Sequence, residues 1–124
     1  MGKFVLKRSA DDRYMFNLLA TNGQIICTSQ MYVSESAAKK GIESVRRNAG
    51  AHVEDQTVPG AETKKFPKWE LYKDKAGEYR FRLSASNGET IVVGQGYKTK
   101  ANARGGIESV RRNAPGSGII EELA

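Results

Sequence analysis

The stretch Gly41-Ile-Glu-Ser-Val-Arg-Arg-Asn-Ala49 occurs twice in this chain, because residues 106–114 repeat it without a change. With the same offset of 65 residues the match extends upstream without a gap, and 20 of the 46 positions between residues 4 and 49 are identical to their counterparts. The chain is therefore one structural unit present in two copies. Unit 1 comprises residues 1–58 and unit 2 residues 68–124, and a linker at residues 59–67 joins them.

The length of the chain favours a core that both units share. At 124 residues the protein has the size of one ordinary domain, and each half alone is small for a stable core of its own. We therefore expect a single domain over residues 1–124 with pseudo-two-fold symmetry, a monomer that imitates a dimer of two small subunits.

The composition limits the classes of function. The net charge of +6 is divided evenly, with +2 on residues 1–58, +2 on residues 59–68 and +2 on residues 69–124. Such a charge permits polyanion binding without requiring it. Cys27 is the single cysteine, which suits a reducing compartment. No signal peptide or membrane-spanning stretch is evident, so the sequence predicts a cytoplasmic protein without a membrane segment.

Each unit is predicted to contain three strands followed by a helix. Apolar and polar residues alternate most clearly in the second strand of each unit, as in Tyr79, Phe81 and Leu83, which is typical of a half-buried antiparallel strand. Asn22-Gly23 and Asn87-Gly88 follow these strands. The Asn-Gly pair predicts a two-residue type I′ hairpin, in which both residues have a positive φ.

The helix of each unit has clear signals for its start and its buried side. Ser34 and Thr99 are the predicted N-caps. Ala38, Ile42 and Val45 begin an apolar stripe that unit 2 repeats. A glycine in the middle of a helix costs about 1 kcal/mol relative to alanine, yet Gly41 and Gly106 occupy matching positions. We therefore expect a close contact at both glycines, most simply with the sheet.

The aromatic strand, the Asn-Gly hairpin, the tyrosine before the helix and the repeated nine-residue motif together resemble the YegP-like family. These are small bacterial proteins of unassigned function. The resemblance implies an α+β fold in which two β-β-β-α-β units build one antiparallel sheet with both helices on one side. It also implies that the last strands, at residues 52–56 and 118–122, are exchanged between the units. It supplies no cofactor, catalytic residue or partner.

No constellation of residues in the chain predicts an enzyme. His52 is the only histidine, and Ser117 takes its place at the same offset in unit 2. Cys27 corresponds to Val92, which favours a small buried side chain over a reactive thiol. Two Cys and His residues are too few for a structural zinc site. We therefore predict a binding or interaction module without cofactor or metal, whose partner the sequence does not identify.

The arginines of the repeated motif are one candidate binding site. A functional interpretation is a pair of symmetry-related clusters that hold an anion. The structural interpretation is that Glu43 and Glu108 pair with arginines one turn further along the helix, where cations also complement the helix dipole. The residues concerned are Arg46, Arg47, Arg111 and Arg112.

A basic face of the sheet in unit 2 is the stronger candidate. Arg80 and Arg82 point to one side of the second strand, and Tyr72 of the first strand is expected on the same side. Arginines beside an aromatic ring on a sheet can bind single-stranded nucleic acid. Unit 1 has Met15 and Asn17 in place of the two arginines. The partner is thus not identified: a protein and a nucleic acid both stay open, and nucleic-acid binding through this basic face is the alternative function.

Overall fold

A computed structural model describes residues 2–123 of the chain. Residues 1 and 124, the outermost residues of units 1 and 2, lie outside the described part. The elements follow in the order β1 (Lys3–Arg8), β2 (Tyr14–Leu19), β3 (Ile25–Ser29), α1 (Glu35–Asn48), β4 (Val53–Asp55), β5 (Lys68–Lys73), β6 (Tyr79–Ser84), β7 (Thr90–Gly94), α2 (Lys100–Asn113) and β8 (Gly118–Glu122).

The strands form one sheet in the order β4-β5-β6-β7-β3-β2-β1-β8. The two units meet at its centre, where β3 pairs antiparallel with β7. Each last strand crosses to the other unit, since β4 pairs with β5 and β8 pairs with β1. The predicted α+β fold with exchanged strands is confirmed. The expected antiparallel pairing is wrong for β4 and β8, because both exchanged strands pair in parallel and the sheet is therefore mixed. Each of them enters from the other unit, so no hairpin turn makes it run antiparallel to its neighbour.

Both helices pack on the same face of the sheet, over a core that the two units share. Buried residues of α1 and α2, such as Ile42 and Ile107, belong to one apolar cluster with inward-facing strand residues such as Phe16 and Phe81. These strand residues are the alternating apolar positions of the sequence. Among residues 2–123 no helix lies on the other face of the sheet, which is called the open face below.

The connection after each helix changes the alignment of the two units. Unit 2 has one additional residue before its last strand, so that Val53 beside Trp69 corresponds to Ile119 beside Phe4, an offset of 66. The structural counterpart of His52 is therefore Gly118, and the expected match with Ser117 is wrong.

The Asn-Gly turns differ from the predicted type I′ hairpin. Only the glycine of each pair has a positive φ, 84° at Gly23 and 85° at Gly88. The Gly23 N–H donates to the carbonyl of Ala20 at 2.9 Å, and the Ala20 N–H donates to the carbonyl of Gln24 at 2.9 Å. These bonds define a three-residue loop that ends in a glycine bulge, so the hairpin was predicted correctly but its turn type was wrong.

The predicted helix signals are confirmed. Ser34 and Thr99 accept a hydrogen bond from the helix at 3.0 and 3.1 Å and act as N-caps. A Cβ atom on Gly41 would lie 2.3 Å from the hydroxyl of Tyr32. A Cβ atom on Gly106 would lie 2.7 Å from the ring of Phe81. The glycines therefore give space to aromatic rings that pack between helix and sheet.

Candidate functional site

The open face of the sheet is where the two units differ most. Directly paired residues of neighbouring strands point to the same side, so the registers show which residues face outward. The open face of unit 2 presents Lys68, Glu70, Tyr72, Arg80, Arg82 and Ser84, together with Glu54 from the exchanged β4. The corresponding positions of unit 1 carry Lys3, Val5, Lys7, Met15, Asn17 and Leu19, with Ile120 from β8.

The structure brings the three predicted site residues of unit 2 together. Tyr72 on β5 lies directly beside Arg80 on β6. The guanidinium of Arg82 lies over the ring of Tyr72, with its central carbon 4.8 Å from the ring centroid. This is a cation–π contact. Because Arg82 covers one side of the tyrosine ring, a nucleic-acid base could reach only the other side.

Both arginines of this face are already paired with carboxylates. Arg80 Nε donates to Asp74 Oδ2 at 2.7 Å, and this bond lowers the pKa of Asp74. Arg82 Nε donates to Glu70 Oε1 at 2.9 Å. Burial opposes ionisation of Glu70, but the hydrogen bonds from Arg82 and Gln56 hold its pKa below the usual value. Less positive charge is therefore available to an anionic partner than the two arginines alone suggest.

A third ion pair lies deeper in the same half of the open face. Lys68 Nζ and Glu54 Oε1 are 2.8 Å apart, and their side chains are only 5% and 7% exposed. The Lys64 N–H of the linker also donates to Glu54 at 2.6 Å. Hydrogen bonds from Lys68, Gln56 and Lys64 lower the pKa of Glu54 to about 2. Gln56 Nε2 connects Glu54 at 2.6 Å with Glu70 at 2.8 Å.

Sequence reasoning missed the carboxylates of this network. Glu70 could have been found, because the hairpin register places it opposite Arg82. Glu54 could not be found from one unit alone, since it reaches Lys68 only through the exchange of β4. The structural reason is that a strand from unit 1 completes the open face of unit 2.

Unit 1 has an apolar surface at the corresponding position. Val5 replaces Glu70, Met15 replaces Arg80 and Ile120 replaces Glu54. Ile25 and Ile120 are each 42% exposed, whereas Val5 between their strands is buried. The name "apolar surface" denotes these outward-facing residues, which are Val5, Met15, Leu19, Ile25 and Ile120.

The arginines of the repeated motif hold the exchanged connections. Arg46 of α1 donates to the carbonyl of Ser117, in the connection that leads to β8. Arg111 of α2 donates to the carbonyl of Ala51 at 2.7 Å, in the connection that leads to β4. Each also pairs with the glutamate one turn earlier in its helix. These contacts support the structural interpretation for Arg46 and Arg111.

The second arginine of each motif lies on the outside. Arg47 and Arg112 are exposed, and within residues 2–123 neither forms an ion pair shorter than 4.0 Å. In each motif the structure therefore separates the two arginines, since the first holds an exchanged connection and the second is exposed.

The two remaining candidates for chemistry, Cys27 and His52, differ in their burial. Cys27 is fully buried, as expected for a small apolar residue, and burial raises the pKa of its thiol to about 12. His52 is exposed, and its Nε2 lies 2.7 Å from the carbonyl oxygen of Lys65 in the linker. Within residues 2–123 no cluster of three or more His, Cys, Asp or Glu side chains could hold a metal ion.

Neither helix of the described chain has the length and apolar character needed to cross a membrane. The architecture defines a class of small proteins in which two β-β-β-α-β units exchange their last strands within one chain.

The chain belongs to the family that contains the domain of unknown function DUF1508, which matches it twice, at residues 9–55 and 74–121. The UPF0339 protein PA0329 of Pseudomonas aeruginosa is 38% identical over 97% of this chain and 96% of its own length. The UPF0339 protein of Treponema denticola is 56% identical and aligns over 44% of this chain but 93% of its own length. The latter relative is therefore about one unit long.

The fold of a solved relative agrees with this architecture. The solution structure of the protein of unknown function yegP from E. coli superposes with a TM-score of 0.82 at 31% identity. The superposition covers 99% of this chain and 94% of that one. The resemblance inferred from the sequence is thus confirmed, and the family's function is unknown.

Proposed function

We propose that this chain is a non-enzymatic protein-binding module and that the apolar surface of unit 1 is its binding surface. The observation that carries the proposal is the exposure of Ile25 and Ile120, each 42%, on a sheet face that no helix covers. Ile25 lies beside Leu19 and Ile120 lies beside the buried Val5, and an apolar patch exposed on a soluble protein is typical of an interaction surface. The polar residues Lys3 and Lys7 border the apolar surface and are suited to the rim of an interface.

The internal duplication supports this assignment. Residues that the fold requires are preserved between the units, for example Phe16 and Phe81 in the core. The open face is free of that requirement, and there the same backbone carries an apolar surface in one unit and three ion pairs in the other. Adjacent apolar residues such as Leu19 and Ile25 are not required on a sheet face whose only role is contact with water.

Nucleic-acid binding stays a prediction with less support. In its favour, Tyr72, Arg80 and Arg82 share one face, and the chain carries a net charge of +6. Against it, Asp74 and Glu70 pair with the two arginines. A phosphate would have to compete with these carboxylates, and the counterion release that drives nucleic-acid binding would be reduced.

Site-specific photo-crosslinking tests the proposal, with unit 2 as the internal control. A photoreactive phenylalanine analogue is placed at Ile25 or at its structural counterpart Thr90, and the full chain is irradiated in bacterial lysate with and without nuclease. We expect discrete protein adducts from position 25 that resist nuclease and are absent from position 90. Equal adducts at both positions, or nuclease-sensitive adducts only, would contradict a protein-binding role for the apolar surface.

A substitution next to the crosslinking position is the second part of the test. Leu19 lies beside Ile25 on the open face, and its replacement by lysine should abolish the adducts. Thr90→Lys, at a half-buried position of β7 in unit 2, is the control that adds the same charge and should leave the adducts from position 25 in place.

A further inference from the structure

We propose that the outer edge of β8 is a docking edge for an extended segment of a partner protein. The segment would add a ninth strand to the sheet, with an apolar residue opposite Ile120 and a basic residue opposite Glu122. This inference rests on the proposed protein-binding function and specifies how the partner is held. It begins from a difference between the two outer strands, β4 and β8, which occupy equivalent places at opposite ends of the sheet.

The linker shields the β4 end of the sheet. The Lys64 N–H donates to the Glu54 carboxylate at 2.6 Å, and the ring of His52 contacts the Lys65 carbonyl at 2.7 Å. Glu54 is only 5% exposed as a result. Native proteins commonly protect sheet edges with a covering loop of this kind.

The β8 end lacks such a cover in the described chain. All five residues of β8 are exposed, including Ile119 at 36% and Ile120 at 42%. Within residues 2–123, β1 is the only strand that pairs with β8, so the opposite edge of β8 is open. An open edge with apolar side chains is a template for another strand.

The pairing of β4 shows which backbone groups of β8 point outward. On either side of β4 the carbonyl of His52 accepts from Trp69, and the N–H of Gln56 donates to Leu71, both at 2.8 Å toward β5. Residues of even number in β4 therefore bond inward. The N–H and C=O groups of Val53 and Asp55 point away from β5.

The register of β8 on β1 matches that of β4 on β5. It follows that Gly118, Ile120 and Glu122 bond β1, whereas Ile119 and Glu121 direct their N–H and C=O groups to the open edge. These are the four main-chain groups with which an added strand would pair.

The side chains of β8 indicate the chemistry of the partner. Ile120 lies beside Val5 and continues the apolar surface to the edge. Glu121 is already paired with Lys39 at 2.7 Å. Glu122 forms no ion pair shorter than 4.0 Å within residues 2–123. A partner with an apolar residue opposite Ile120 and a lysine or arginine opposite Glu122 would therefore be complementary in shape and charge.

A second copy of the chain fits this edge less well. Its own β8, Gly118–Glu122, contains no basic residue to place opposite Glu122. It would also bring a second net charge of +6 to the first, and like net charges oppose association.

The test uses the isotope-labelled full chain and a synthetic peptide, acetyl-Thr-Lys-Thr-Val-Val-Thr-amide. Read antiparallel to β8, this peptide places lysine opposite Glu122 and valine opposite Ile120. Its reversed sequence covers parallel pairing, and a peptide with glutamate in place of lysine is the charge control. We expect amide shifts along β8 and slower hydrogen exchange at Ile119 and Glu121, with weaker binding of the glutamate peptide.

Two variants at one position separate backbone pairing from side-chain contact. Glu121→Pro removes an outward N–H, whereas Glu121→Ala keeps it and loses the Lys39 ion pair equally. We expect the proline variant to weaken peptide binding by about tenfold, the equivalent of one or two net hydrogen bonds, and the alanine variant to bind almost as wild type. Amide spectra of both variants show that the sheet remains folded.

Three results of the peptide experiments would overturn the inference. They are the absence of protection at Ile119 and Glu121 with either peptide at millimolar concentration, equal binding by the proline and alanine variants, and protection of the same amides by raised protein concentration alone, which would identify a second copy as the occupant. Failure of the proposed function has a different signature. Adducts from position 25 that persist in Glu121→Pro would refute docking at the edge of β8 but would leave the apolar surface as the binding surface. The absence of all adducts from position 25, together with intact peptide binding, would refute the apolar surface but would leave the docking edge.

Discussion

Units 1 and 2 share a backbone and a core but present opposite chemistry on the open face of the sheet. The inward positions are nearly interchangeable, as Phe16 and Phe81 or Leu18 and Leu83 show. On the open face Val5 corresponds to Glu70, and Met15 corresponds to Arg80. The fold therefore constrains one side of each strand and leaves the other free to diverge, so the divergent side is the place to look for function.

The exchange of strands makes the stability of each unit depend on the other unit. Each helix arginine holds the connection of the other unit, as Arg111 does for Ala51 at 2.7 Å. Each exchanged strand also forms an ion pair with the helix of the other unit, since Asp55 contacts Arg104 at 3.1 Å and Glu121 contacts Lys39 at 2.7 Å. The two units are therefore expected to be unstable apart.

The largest effect is expected from dividing the chain. Residues 1–58 alone should form a homodimer or fail to fold, because β4 has no partner strand within its own unit. In such a dimer Asp55 would face Lys39 of the second subunit, as Glu121 does here. Sedimentation equilibrium and the dispersion of amide resonances check the prediction. A stably folded monomer of residues 1–58 would refute it.

The second-largest loss of stability is expected at a position that is a lysine in both units, Lys68 in unit 2 and Lys3 in unit 1. Lys68→Met should destabilise by about 3–5 kcal/mol, because it leaves the carboxylate of Glu54 buried without its cation. Lys3→Met is the control, since Lys3 is exposed and Ile120 stands where Glu54 would be. Urea melts of both variants give the comparison. Equal losses at the two positions would show that the ion pair has no special role.

The same ion pair predicts a dependence of stability on pH. Glu54 has a pKa of about 2 in the folded chain, below its ordinary value of 4.5. A carboxyl whose pKa is lowered by folding contributes its full stabilisation above the ordinary pKa, and this contribution is lost as the pH falls toward the folded value. The unfolding free energy of wild type should therefore fall between pH 4.5 and 2 more steeply than that of Glu54→Gln. Parallel curves would contradict the assignment.

The prediction of the fold from sequence succeeded where the signal was local and repeated. The alternation around Phe81 and the caps Ser34 and Thr99 predicted strands and helices correctly. The exchange of strands came from the family resemblance, because three residues at Val53–Asp55 are too few to indicate their own partner. The turn type was wrong because the glycine bulge, rather than two positive φ angles, provides the twist of the hairpin.

The candidate site was predictable only in part. The register of one hairpin sufficed to put Tyr72 beside Arg80. The pairing of Glu54 with Lys68 depends on contacts between distant segments, and the apolar surface includes Ile120 from the other unit. Interactions that cross from one unit to the other are invisible to reasoning about a single unit.

A smaller effect is expected at the adjacent glycines of α2. Gly106→Ala should destabilise by more than about 1 kcal/mol, because the new Cβ would lie 2.7 Å from the ring of Phe81. Gly105→Ala meets no atom within 4 Å and should stabilise by up to about 1 kcal/mol through helix propensity. Denaturant melts of the pair provide the check, and stabilisation by both substitutions would mean that the aromatic rings yield freely.

The smallest effect is expected at the charged face of unit 2. Asp74 and Glu70 neutralise Arg80 and Arg82 at 2.7 and 2.9 Å, so replacing both arginines with serine should change the salt dependence of single-stranded DNA binding by less than about one unit of slope. Free arginines in contact with phosphates would give a change of about one to two units. Fluorescence titrations of wild type and the double variant at several salt concentrations measure the slope. A change of the larger size would assign binding to the charged half of the open face instead of the apolar half. The protein would then be a nucleic-acid-binding module.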